Sequence, residues 1–376
     1  MSFELEPAYL KLQHEARVFA RSIEPLAKEA DESSEVHPGV LAALRKSGLC
    51  GLMVPAQHGG RSTRPDPLAI CLVREALMAT SSHADSLFAL QGIGSYAITV
   101  AGSPEQRAQW LPRIARTEAL AALALTEDNA GSDLKAVATE LRVSDDRLVL
   151  KGSKSFISNG VSAAFFVVFA REGSGYSMVL VPAATPGVSV TPSPILIAPH
   201  VLGEIRFDNV LLPPDARVGK VGQGLELVLA TLGIFRVSVA GAAVGLAQAA
   251  LEEAVRHTRT RVQFGRPLAQ LGAVAEMLAD SHTEIEMVRL LTYRAASRAI
   301  DDPAAALHQS SMAKLAASEI ASRVVDRCVQ MMGRFGLIRH SKIERLYRQA
   351  RAMRIYEGAS EVLRLGIARE LVRQVP

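Results

Sequence analysis

One carboxylate close to the end of the chain, Glu357, has the local sequence of a general base. It lies in the string IYEG, after a tyrosine and before a glycine, in a half of the chain that is rich in helix-forming residues. The arginines that flank it in the sequence are Arg345, Arg348, Arg351, Arg354, Arg364, Arg369 and Arg373. A carboxylate held at the start of a helix can take a proton from a bound molecule. Glu357 is therefore a candidate base, although a short string does not by itself establish a site.

A polar segment far upstream, ALTEDNAGSD at Ala124 to Asp133, has the composition of a ligand-binding turn. Ala130-Gly131 permits a tight turn, and Thr126 and Ser132 place hydroxyl and backbone N–H groups beside it. Such groups suit a ligand that presents acceptor atoms. The alternative is an ordinary polar loop, which is the simpler interpretation when the segment is taken alone.

A third segment, KGSKSFISNG at Lys151 to Gly160, carries an aromatic residue and a hydroxyl two positions apart. Side chains with this spacing lie on one face of a β-strand, so Phe156 and Ser158 are predicted to share a face. Together they would suit one side of a flat heteroaromatic ring. A core phenylalanine beside a serine at a strand edge is the alternative, and it is favoured in isolation.

Arginines also gather in the segment RTRVQFGRP at Arg259 to Pro267, around a Phe-Gly helix break. Guanidinium groups bind phosphate through paired N–H donors, so the segment resembles a phosphate clamp beside a ring contact. A solvated helix end is the alternative. The arginine stripe at positions 345–354 is more typical of a surface or a subunit face. The string GIGSYA at Gly92 to Ala97 has no preceding strand, so its small residues are predicted to pack between helices.

Helices and strands must position these segments, and the spacing of apolar residues indicates where they lie. This spacing changes twice along the chain. Helical spacing prevails at first, short alternating segments follow from about residue 120, and helical spacing returns at Leu225. Asp145-Asp146 is predicted as a hairpin turn between the first alternating segments. The later helices are predicted at Leu225 to Arg259, Leu268 to Ile300 and Pro303 to Met332.

The predicted fold is mainly α with a central β domain. An N-terminal helical domain is predicted at residues 1–120, a small antiparallel β domain at residues 121–222, and a C-terminal four-helix-bundle domain at residues 223–376. A chain of 376 residues is long enough for two or three such domains.

Composition and charge exclude several classes of protein. The formal net charge of +4 comes from scattered arginines rather than a basic tail, so no nucleic-acid partner is predicted. No uninterrupted apolar run approaches the roughly 18 residues of a bilayer span, so no membrane span is predicted. The charged amphipathic N-terminus is not a signal peptide. Three irregularly spaced cysteines and scattered histidines predict no metal site and a reduced, cytoplasmic setting.

Four of these strings occur in the same order in one known family. ALTEDNAGSD, KGSKSFISNG, HTRTRVQFGRP and IYEGASEV resemble the acyl-CoA dehydrogenase superfamily of FAD-dependent flavoproteins. The strings FDNVLLP at Phe207 to Pro213 and FRVSVAGAAVGLA at Phe235 to Ala247 fit the same pattern. The resemblance covers nearly the whole chain, and it implies that FAD lies between the β domain and the C-terminal helices.

The resemblance assigns residues to the cofactor. Thr126 would hydrogen-bond the pyrimidine edge of the flavin, Ser158 would face its N5 atom, and Phe156 would pack on the ring where many relatives have tryptophan. The complete implied set of FAD-binding residues is Leu123, Leu125, Thr126, Ser132, Phe156, Ser158, Arg261, Gln263, Phe264, Gln330, Gly333, Arg334, Ala359 and Glu361. Because several of these would reach the cofactor of a neighbouring subunit, a homodimer or homotetramer is implied.

The resemblance also gives Glu357 its role. It matches the family's catalytic base, which takes the α-proton of an acyl thioester while the β-hydride passes to the flavin. The backbone N–H of Glu357 would polarise the thioester carbonyl, and burial would raise the pKa of the carboxylate towards neutrality. The implied substrate-binding residues are Ser132, Arg236 and Gly358. Some relatives carry the base on an earlier helix, but the stretch Gly233 to Arg236 contains no acid here.

Four functions are weighed on this basis. The leading one is an acyl-CoA dehydrogenase that forms a 2,3-enoyl thioester and passes electrons to an electron-transfer flavoprotein. An acyl group tethered to a carrier protein is an alternative, because Pro199-His200-Val201 lacks the polar residues that often meet the CoA nucleotide. A flavin monooxygenase is another, and the retained Glu357 argues against it. A non-catalytic paralogue is the fourth, because Arg334, Gln349 and Ala359 depart from the family pattern.

Overall fold

A computed structural model describes residues 4–300 and 306–374. The helices are α1 (Pro7–Asp31), α2 (Pro38–Ser47), α3 (Pro67–Met78), α4 (Ser82–Ala101), α5 (Pro104–Ala115), α6 (Gly224–Thr260), α7 (Gly272–Ala299), α8 (Leu307–Met332), α9 (Lys342–Met353) and α10 (Ser360–Gln374). The strands are β1 (Ala121–Ala124), β2 (Glu140–Ser144), β3 (Arg147–Ser158), β4 (Phe165–Glu172), β5 (Gly175–Pro182), β6 (Val188–Pro192), β7 (Leu202–Leu212), β8 (Arg217–Val218), β9 (Val262–Gln263) and β10 (Arg266–Pro267). The predicted start of the eighth helix at Pro303 lies outside the described residues.

The predicted fold class is confirmed, because helices precede and follow a central sheet along the sequence. By backbone contacts the chain forms two compact units. The helical unit comprises Met1–Asp31, Pro67–Asp85 and Arg236–Pro376, and the sheet unit comprises Glu32–Asp66 and Ser86–Phe235. The division into three consecutive domains along the sequence stays a prediction.

The helical unit has a core of small and branched apolar side chains. Helix α1 packs on α3, α3 on α7, α7 on α8, and α8 on both α9 and α10. Its buried core includes Val244, Ile285 and Val324. The approach of α6 to α3 is close, because a Cβ atom built on Gly245 would lie 2.0 Å from the backbone oxygen of Glu75. Helix α6 therefore depends on glycine at this crossing.

A buried carboxylate, Asp31, joins the end of α1 to the start of α4. It accepts hydrogen bonds from Ser81 Oγ at 2.7 Å and from the backbone N of His83 at 3.1 Å. Burial raises the pKa of Asp31, while these donors and the charge of Arg345 oppose the rise. Arg345 is itself buried, with its Nε 3.5 Å from Asp31. The prediction of a surface stripe is therefore wrong for Arg345, because α9 turns it towards this acid.

The sheet unit contains one eight-stranded sheet, with strand order β6-β7-β3-β2-β4-β5-β8 and β1 beside β4. The hairpin turn predicted at Asp145-Asp146 is confirmed, since Ser144 pairs with Arg147 across it. Most neighbouring strands are antiparallel, but β1 and β4 run parallel. The sheet is therefore mixed and not purely antiparallel, because the β2–β3 hairpin between these strands returns the chain in the same direction.

Strand β3 is irregular near its end. Its register against β7 shifts between Lys154 and Ile157, and Phe156 has a φ of +54°. Lys154 and Ser155 are buried in succession, so the two-residue alternation is broken here. The alternation used to predict a shared face for Phe156 and Ser158 does not hold through this bulge.

The small residues of the string GIGSYA pack closely within the sheet unit, as predicted. A Cβ atom on Gly92 would lie 2.4 Å from the ring of Phe235, and one on Gly94 would lie 2.6 Å from Ala121 Cβ. The two glycines therefore bring α4 against α6 and β1.

Among the described residues, one helix, α6, is long and apolar enough to cross a membrane by length and composition. An 18-residue window within it has a mean hydropathy of 2.0, and 78% of that window is buried inside the protein. The expectation that no apolar run approaches about 18 residues concerned runs without charged residues, and the absence of a membrane span stays a prediction. Buried core helices pass the same test, so α6 is weak evidence for a membrane span.

The crossing of α6 and α3 gives a test of packing. Gly245→Ala should lower the free energy of unfolding by about 1–3 kcal/mol or more, because the added methyl group would meet backbone atoms that cannot move aside. Calorimetric thermal unfolding measures the effect. Gly366→Ala on α10 is the matched control, since a Cβ atom added there would have no neighbour within 4 Å; it should gain about 0.5–1 kcal/mol. Equal unfolding midpoints for the two variants would contradict the proposed crossing.

Candidate active site

Glu357 lies in the turn between α9 and α10, with a left-handed backbone. Its φ is +51°, and that of Gly358 is +109°. A residue other than glycine in this region costs of order 1 kcal/mol or more, so surrounding interactions must hold it there. Strained backbone of this kind is common at functional sites, and here it coincides with the candidate base.

Two cations hold the carbonyl groups of this turn. Arg236 Nε of α6 donates to the backbone oxygen of Glu357 at 2.9 Å, and Lys314 Nζ of α8 donates to that of Gly358 at 2.7 Å. Arg236 Nη1 also donates to Ser311 Oγ at 3.0 Å. Ser311 and Lys314 are three residues apart, so they lie on one face of α8. We call Arg236, Ser311 and Lys314 the cation clamp.

Glu357 is half-buried, and one oxygen of its carboxylate is shielded from water. Its Oε2 atom is buried and has no hydrogen-bond partner within residues 4–300 and 306–374. Burial raises the pKa of Glu357 to about 7, while the charges of Arg74, Arg236 and Lys314 oppose this rise. A fraction of Glu357 is therefore ionised near neutral pH, with an oxygen that can accept a proton.

A buried ion pair lies among the charges that act on this carboxylate. Arg74 of α3 donates to both oxygens of Asp85 at 2.9 and 2.7 Å, and their side chains are only 4% and 1% exposed. Arg74 Nη1 also donates to Ser238 Oγ at 2.8 Å. Because Asp85 balances the guanidinium charge, Arg74 stabilises the ionised form of Glu357 less than an unpaired arginine would.

The sheet unit contains the predicted ligand-binding turn after β1. Glu127 and Ala130 exchange backbone hydrogen bonds at 2.9 and 3.1 Å. The backbone oxygen of Thr126 accepts from Ser155 N on β3 at 2.9 Å, which places the turn beside the end of that strand. Thr126 is half-buried, and Ser132 is exposed. Leu123, in β1, and Leu125 are also half-buried.

A second buried lysine fixes this turn. Lys154 Nζ donates to Glu127 Oε1 and to the backbone oxygen of Leu125, both at 2.8 Å. The carboxylate of Glu127 also accepts from the backbone N atoms of Ala138 and Thr139 at 2.6 and 3.0 Å. These bonds join the loop after β1 to both β3 and the segment before β2. We call Glu127 and Lys154 the loop ion pair.

Ser158 contacts His200, which was not predicted to be a site residue. Its Oγ lies 3.0 Å from His200 Nε2, and Ser86 Oγ lies 3.4 Å from His200 Nδ1. Burial lowers the pKa of His200 to about 4, so the ring is neutral at physiological pH. Phe156, beside Ser158, is 46% exposed, and its backbone N donates to Glu204 Oε1 at 3.1 Å.

The predicted cofactor residues of the C-terminal half lie mainly on the surface. Phe264 is 90% exposed at the tip of the β9–β10 hairpin, where Arg261 and Gln263 are also exposed. The guanidinium groups of Arg261 and Arg334 lie 5.7 and 5.1 Å from the ring centre of Phe335. Two arginines that are distant in the sequence are thus brought to one aromatic ring.

The other predicted residues near the C-terminal helices differ in exposure. Gln330 and Gly333 are exposed at the end of α8. Ala359 is half-buried, and Glu361 is exposed with its carboxylate 3.9 Å from Arg364. Of the predicted substrate residues, the structure brings Arg236 to Glu357 and Gly358.

Several site residues were not found from the sequence. They are Lys314, Arg74, Asp85, Glu127, Lys154 and His200. Lys314 carried a signal, because it is a single charge between Ala313 and Ala317 on the apolar face of α8. A lone lysine at a core position needs a polar partner and is a candidate for function.

The residues at the ends of β1 and β3 fit a flavin. An exposed aromatic ring, Phe156, lies in the same short segment as the hydroxyl group of Ser158, and Thr126 lies in the turn fixed beside that segment. An aromatic face with nearby hydroxyl groups suits a flat ring with polar edges.

Family models match three consecutive parts of the chain. The N-terminal domain of acyl-CoA dehydrogenase matches residues 7–118, its middle domain residues 122–210, and its C-terminal domain residues 222–372. These matches cover both the turn after β1 and the turn that contains Glu357.

Individual proteins agree with the family models. A cyclohex-1-ene-1-carbonyl-CoA dehydrogenase from Geobacter metallireducens is 37% identical, covering 94% of this chain and 95% of that protein. One similar chain comes from a solved structure that concerns the electron transferring flavoprotein of Acidaminococcus fermentans. It has a TM-score of 0.94 and 30% identity, and the match covers 100% of both chains. A glutaryl-CoA dehydrogenase from Mycobacterium smegmatis in complex with FADH2 has a TM-score of 0.92 and 26% identity, covering 99% of this chain and 96% of that one.

The relatives match along almost their whole length, and the buried carboxylate occurs where the sequence resemblance placed a base. The chain belongs to the acyl-CoA dehydrogenase family, whose members are oxidoreductases that act on CH–CH bonds.

Proposed function

We propose that this enzyme dehydrogenates an acyl-CoA at its α and β carbons to the 2,3-enoyl thioester, with FAD as cofactor and Glu357 as the base. The observation that supports this most is the buried, unpaired Oε2 atom of Glu357, whose pKa of about 7 suits proton abstraction at neutral pH. The match to relatives that act on acyl-CoA substrates supports the same substrate class.

In the proposed reaction, the carboxylate of Glu357 takes the α-proton. The α-hydrogen of a thioester is weakly acidic, so charge that develops on the carbonyl oxygen must be stabilised. We assign this task to the backbone N–H of Glu357, whose orientation depends on the turn held by the cation clamp. Arg236 and Gly358 are the proposed substrate contacts beside the base, and Ser132 is proposed to contact the substrate from the sheet unit.

The cofactor residues are proposed in two groups. In the sheet unit, Leu123, Leu125, Thr126, Ser132, Phe156 and Ser158 would hold the flavin ring. In the helical unit, Ala359 and Glu361 are further proposed FAD contacts, and Arg261, Gln263, Phe264, Gln330, Gly333 and Arg334 would reach the FAD of a neighbouring subunit. When bound, the flavin accepts the β-hydrogen with its electron pair. The grouping of Arg261 and Arg334 supports an anionic ligand such as a pyrophosphate.

The partners and assembly are proposed on the same basis. An electron-transfer flavoprotein would accept the electrons. One of the similar solved structures concerns an electron transferring flavoprotein, which supports this partner. The strongly exposed Phe264, Leu337 and Ile338 support contact with a second copy of the chain in a homodimer or homotetramer. We propose a cytoplasmic enzyme with three consecutive domains at residues 1–120, 121–222 and 223–376.

The visible spectrum of the purified protein tests the proposed function. A flavin spectrum that bleaches on anaerobic addition of one of a panel of acyl-CoAs would support thioester dehydrogenation and rank the acyl groups. A yellow protein that no acyl-CoA bleaches would favour a carrier-tethered substrate or oxygenase chemistry. A colourless protein that cannot take up FAD would favour a non-catalytic role.

Replacement of the base gives the first prediction of this proposal. Glu357→Gln should keep the fold and FAD but slow flavin reduction by acyl-CoA about 10²- to 10⁴-fold, because the amide cannot accept the α-proton. Anaerobic stopped-flow absorbance measures the rate. Glu276→Gln, the same chemical change at an exposed position of α7, is the control and should react at the parent rate. Normal bleaching of Glu357→Gln would remove the assignment of the base.

The pKa of Glu357 predicts the pH dependence of the same step. Below pH 7 the carboxyl group is increasingly protonated and cannot accept a proton, so the rate should fall about tenfold per pH unit. Above pH 7 the carboxylate is ionised, and the rate should reach a plateau. Stopped-flow reduction from pH 5.5 to 9 measures this profile. A flat profile down to pH 5.5 would contradict the proposed state of Glu357.

The loop ion pair predicts how firmly the flavin is held. Lys154→Met should loosen the turn after β1 and leave Glu127 without its buried counter-charge, which costs about 3–5 kcal/mol. We expect a lower unfolding temperature and loss of flavin during gel filtration. Lys151→Met on the same strand is the control, since Lys151 is exposed. Full flavin retention in Lys154→Met would contradict the role of this pair.

A further inference from the structure

Within residues 4–300 and 306–374, Lys314 is a buried cation without a carboxylate as its hydrogen-bond acceptor. Its side chain is fully buried, and its Nζ donates to the backbone oxygen of Gly358 at 2.7 Å. A buried ammonium group is costly unless it gains strong interactions in return. A neutral donor could make the same hydrogen bond to a carbonyl oxygen, so the charge itself calls for an explanation.

The carbonyl groups on both sides of the Gly358 Cα atom are held by different cations. Arg236 holds the oxygen of Glu357, and Lys314 holds that of Gly358. Because each carbonyl oxygen fixes the plane of its peptide group, the two bonds together hold the left-handed backbone of Gly358, and the bond from Arg236 also holds the peptide group that follows the Glu357 Cα atom. Arg236 is supported by Ser311 of α8, so the same helix contributes to both bonds.

The charges that act on Glu357 come from four helices. They are Arg74 of α3, Asp85 of α4, Arg236 of α6 and Lys314 of α8. Asp85 offsets much of the charge of Arg74 by direct pairing. Arg236 keeps its charge at every accessible pH. Lys314 is the cation of this set whose charge could be lost near physiological pH.

Burial lowers the pKa of Lys314 to about 8, so the surroundings on balance disfavour its ammonium form. Glu357, Glu319 and Glu361 stabilise it, whereas Arg236 and burial oppose it. Glu319 already accepts hydrogen bonds from Arg354 at 2.9 Å and Ser360 at 2.6 Å, and Glu361 is exposed to solvent. Glu357 is therefore the buried carboxylate whose charge Lys314 most directly complements.

We propose that Lys314 is a positioning residue for the base: its hydrogen bond to Gly358 fixes the turn, and its positive charge favours the ionised carboxylate of Glu357. The inference rests on the proposed role of Glu357 as the base. Lys314 then has two roles. Its hydrogen bond orients the base, and its charge sets the pH range in which the base is active. These two parts can be separated by substitution.

Two variants of one residue separate the charge from the hydrogen bond. Lys314→Gln removes the charge and keeps an N–H donor, whereas Lys314→Met removes both and keeps the apolar stem. Lys11→Met on α1 is the matched control, since Lys11 is exposed. Flavin content and thermal unfolding are measured for each variant before the rate of flavin reduction by acyl-CoA is followed against pH.

The expected results differ between the variants. Loss of the charge should move the acid limb of the profile upwards by about one pH unit in both Lys314 variants. The plateau rate above this limb should stay within a few-fold of the parent in Lys314→Gln and fall further in Lys314→Met, because only the glutamine can hold Gly358. Lys11→Met should keep the parent profile.

Distinct outcomes separate this inference from the proposed function. Rapid reduction of Glu357→Gln would show that Glu357 is not the base. A slow Glu357→Gln variant, together with parent-like profiles in both Lys314 variants, would overturn the inference alone. If Lys314→Met fails to fold, Lys314→Gln decides the question, since an unshifted acid limb in that variant is sufficient to reject the role of the charge.

Discussion

Burial of the Glu357 carboxylate among cations is the interaction around which the helical unit is arranged. Burial alone would keep the carboxyl group protonated, and an unpaired cation beside it would make the carboxylate too weak a base. The environment of Glu357 lies between these limits, because Arg74 is paired with Asp85 while Arg236 and Lys314 donate to backbone oxygens. Helices α3, α4, α6 and α8 each provide one charge. The packing of these helices therefore decides the acidity of a single group.

In each of the two units, a buried lysine donates a hydrogen bond to a backbone oxygen of a turn that contains candidate site residues. In the helical unit a fully buried lysine donates to the backbone oxygen of Gly358, and in the sheet unit another donates to that of Leu125. Each lysine adds a hydrogen bond to a loop that also contains backbone hydrogen bonds of its own. The difference lies in the nearby acid. Lys154 forms an ion pair with Glu127, whose carboxylate also accepts backbone N–H groups, whereas Glu357 has an oxygen without a hydrogen-bond partner in the described part of the chain. The carboxylate of Glu127 is therefore occupied by hydrogen bonds within the fold, whereas the proposed base Glu357 keeps an oxygen that can accept a proton.

Much of the architecture was predictable because its signals are local. Helical periodicity in α6 and α7 and the Asp145-Asp146 hairpin turn depend on neighbours in the sequence, and the structure has each of them. The parallel pairing of β1 with β4 and the bulge at Phe156 were not predictable, because strand pairing and register depend on distant residues. Arg345 was misplaced for the same reason: nothing near it in the sequence reveals Asp31.

The sequence by itself determined the family and the identity of the candidate base, since both depend on short strings whose order is preserved along the chain. It also determined that Phe156, Ser158 and Thr126 are the candidate ring contacts. Only the tertiary structure decided which side chains surround those residues. The pKa of Glu357 depends on burial and on cations up to 283 positions away in the sequence, counted from Arg74. His200 meets Ser158 across 42 positions. Electrostatics and hydrogen bonding act through space, so residues that tune a site can be distant in sequence and carry no local motif.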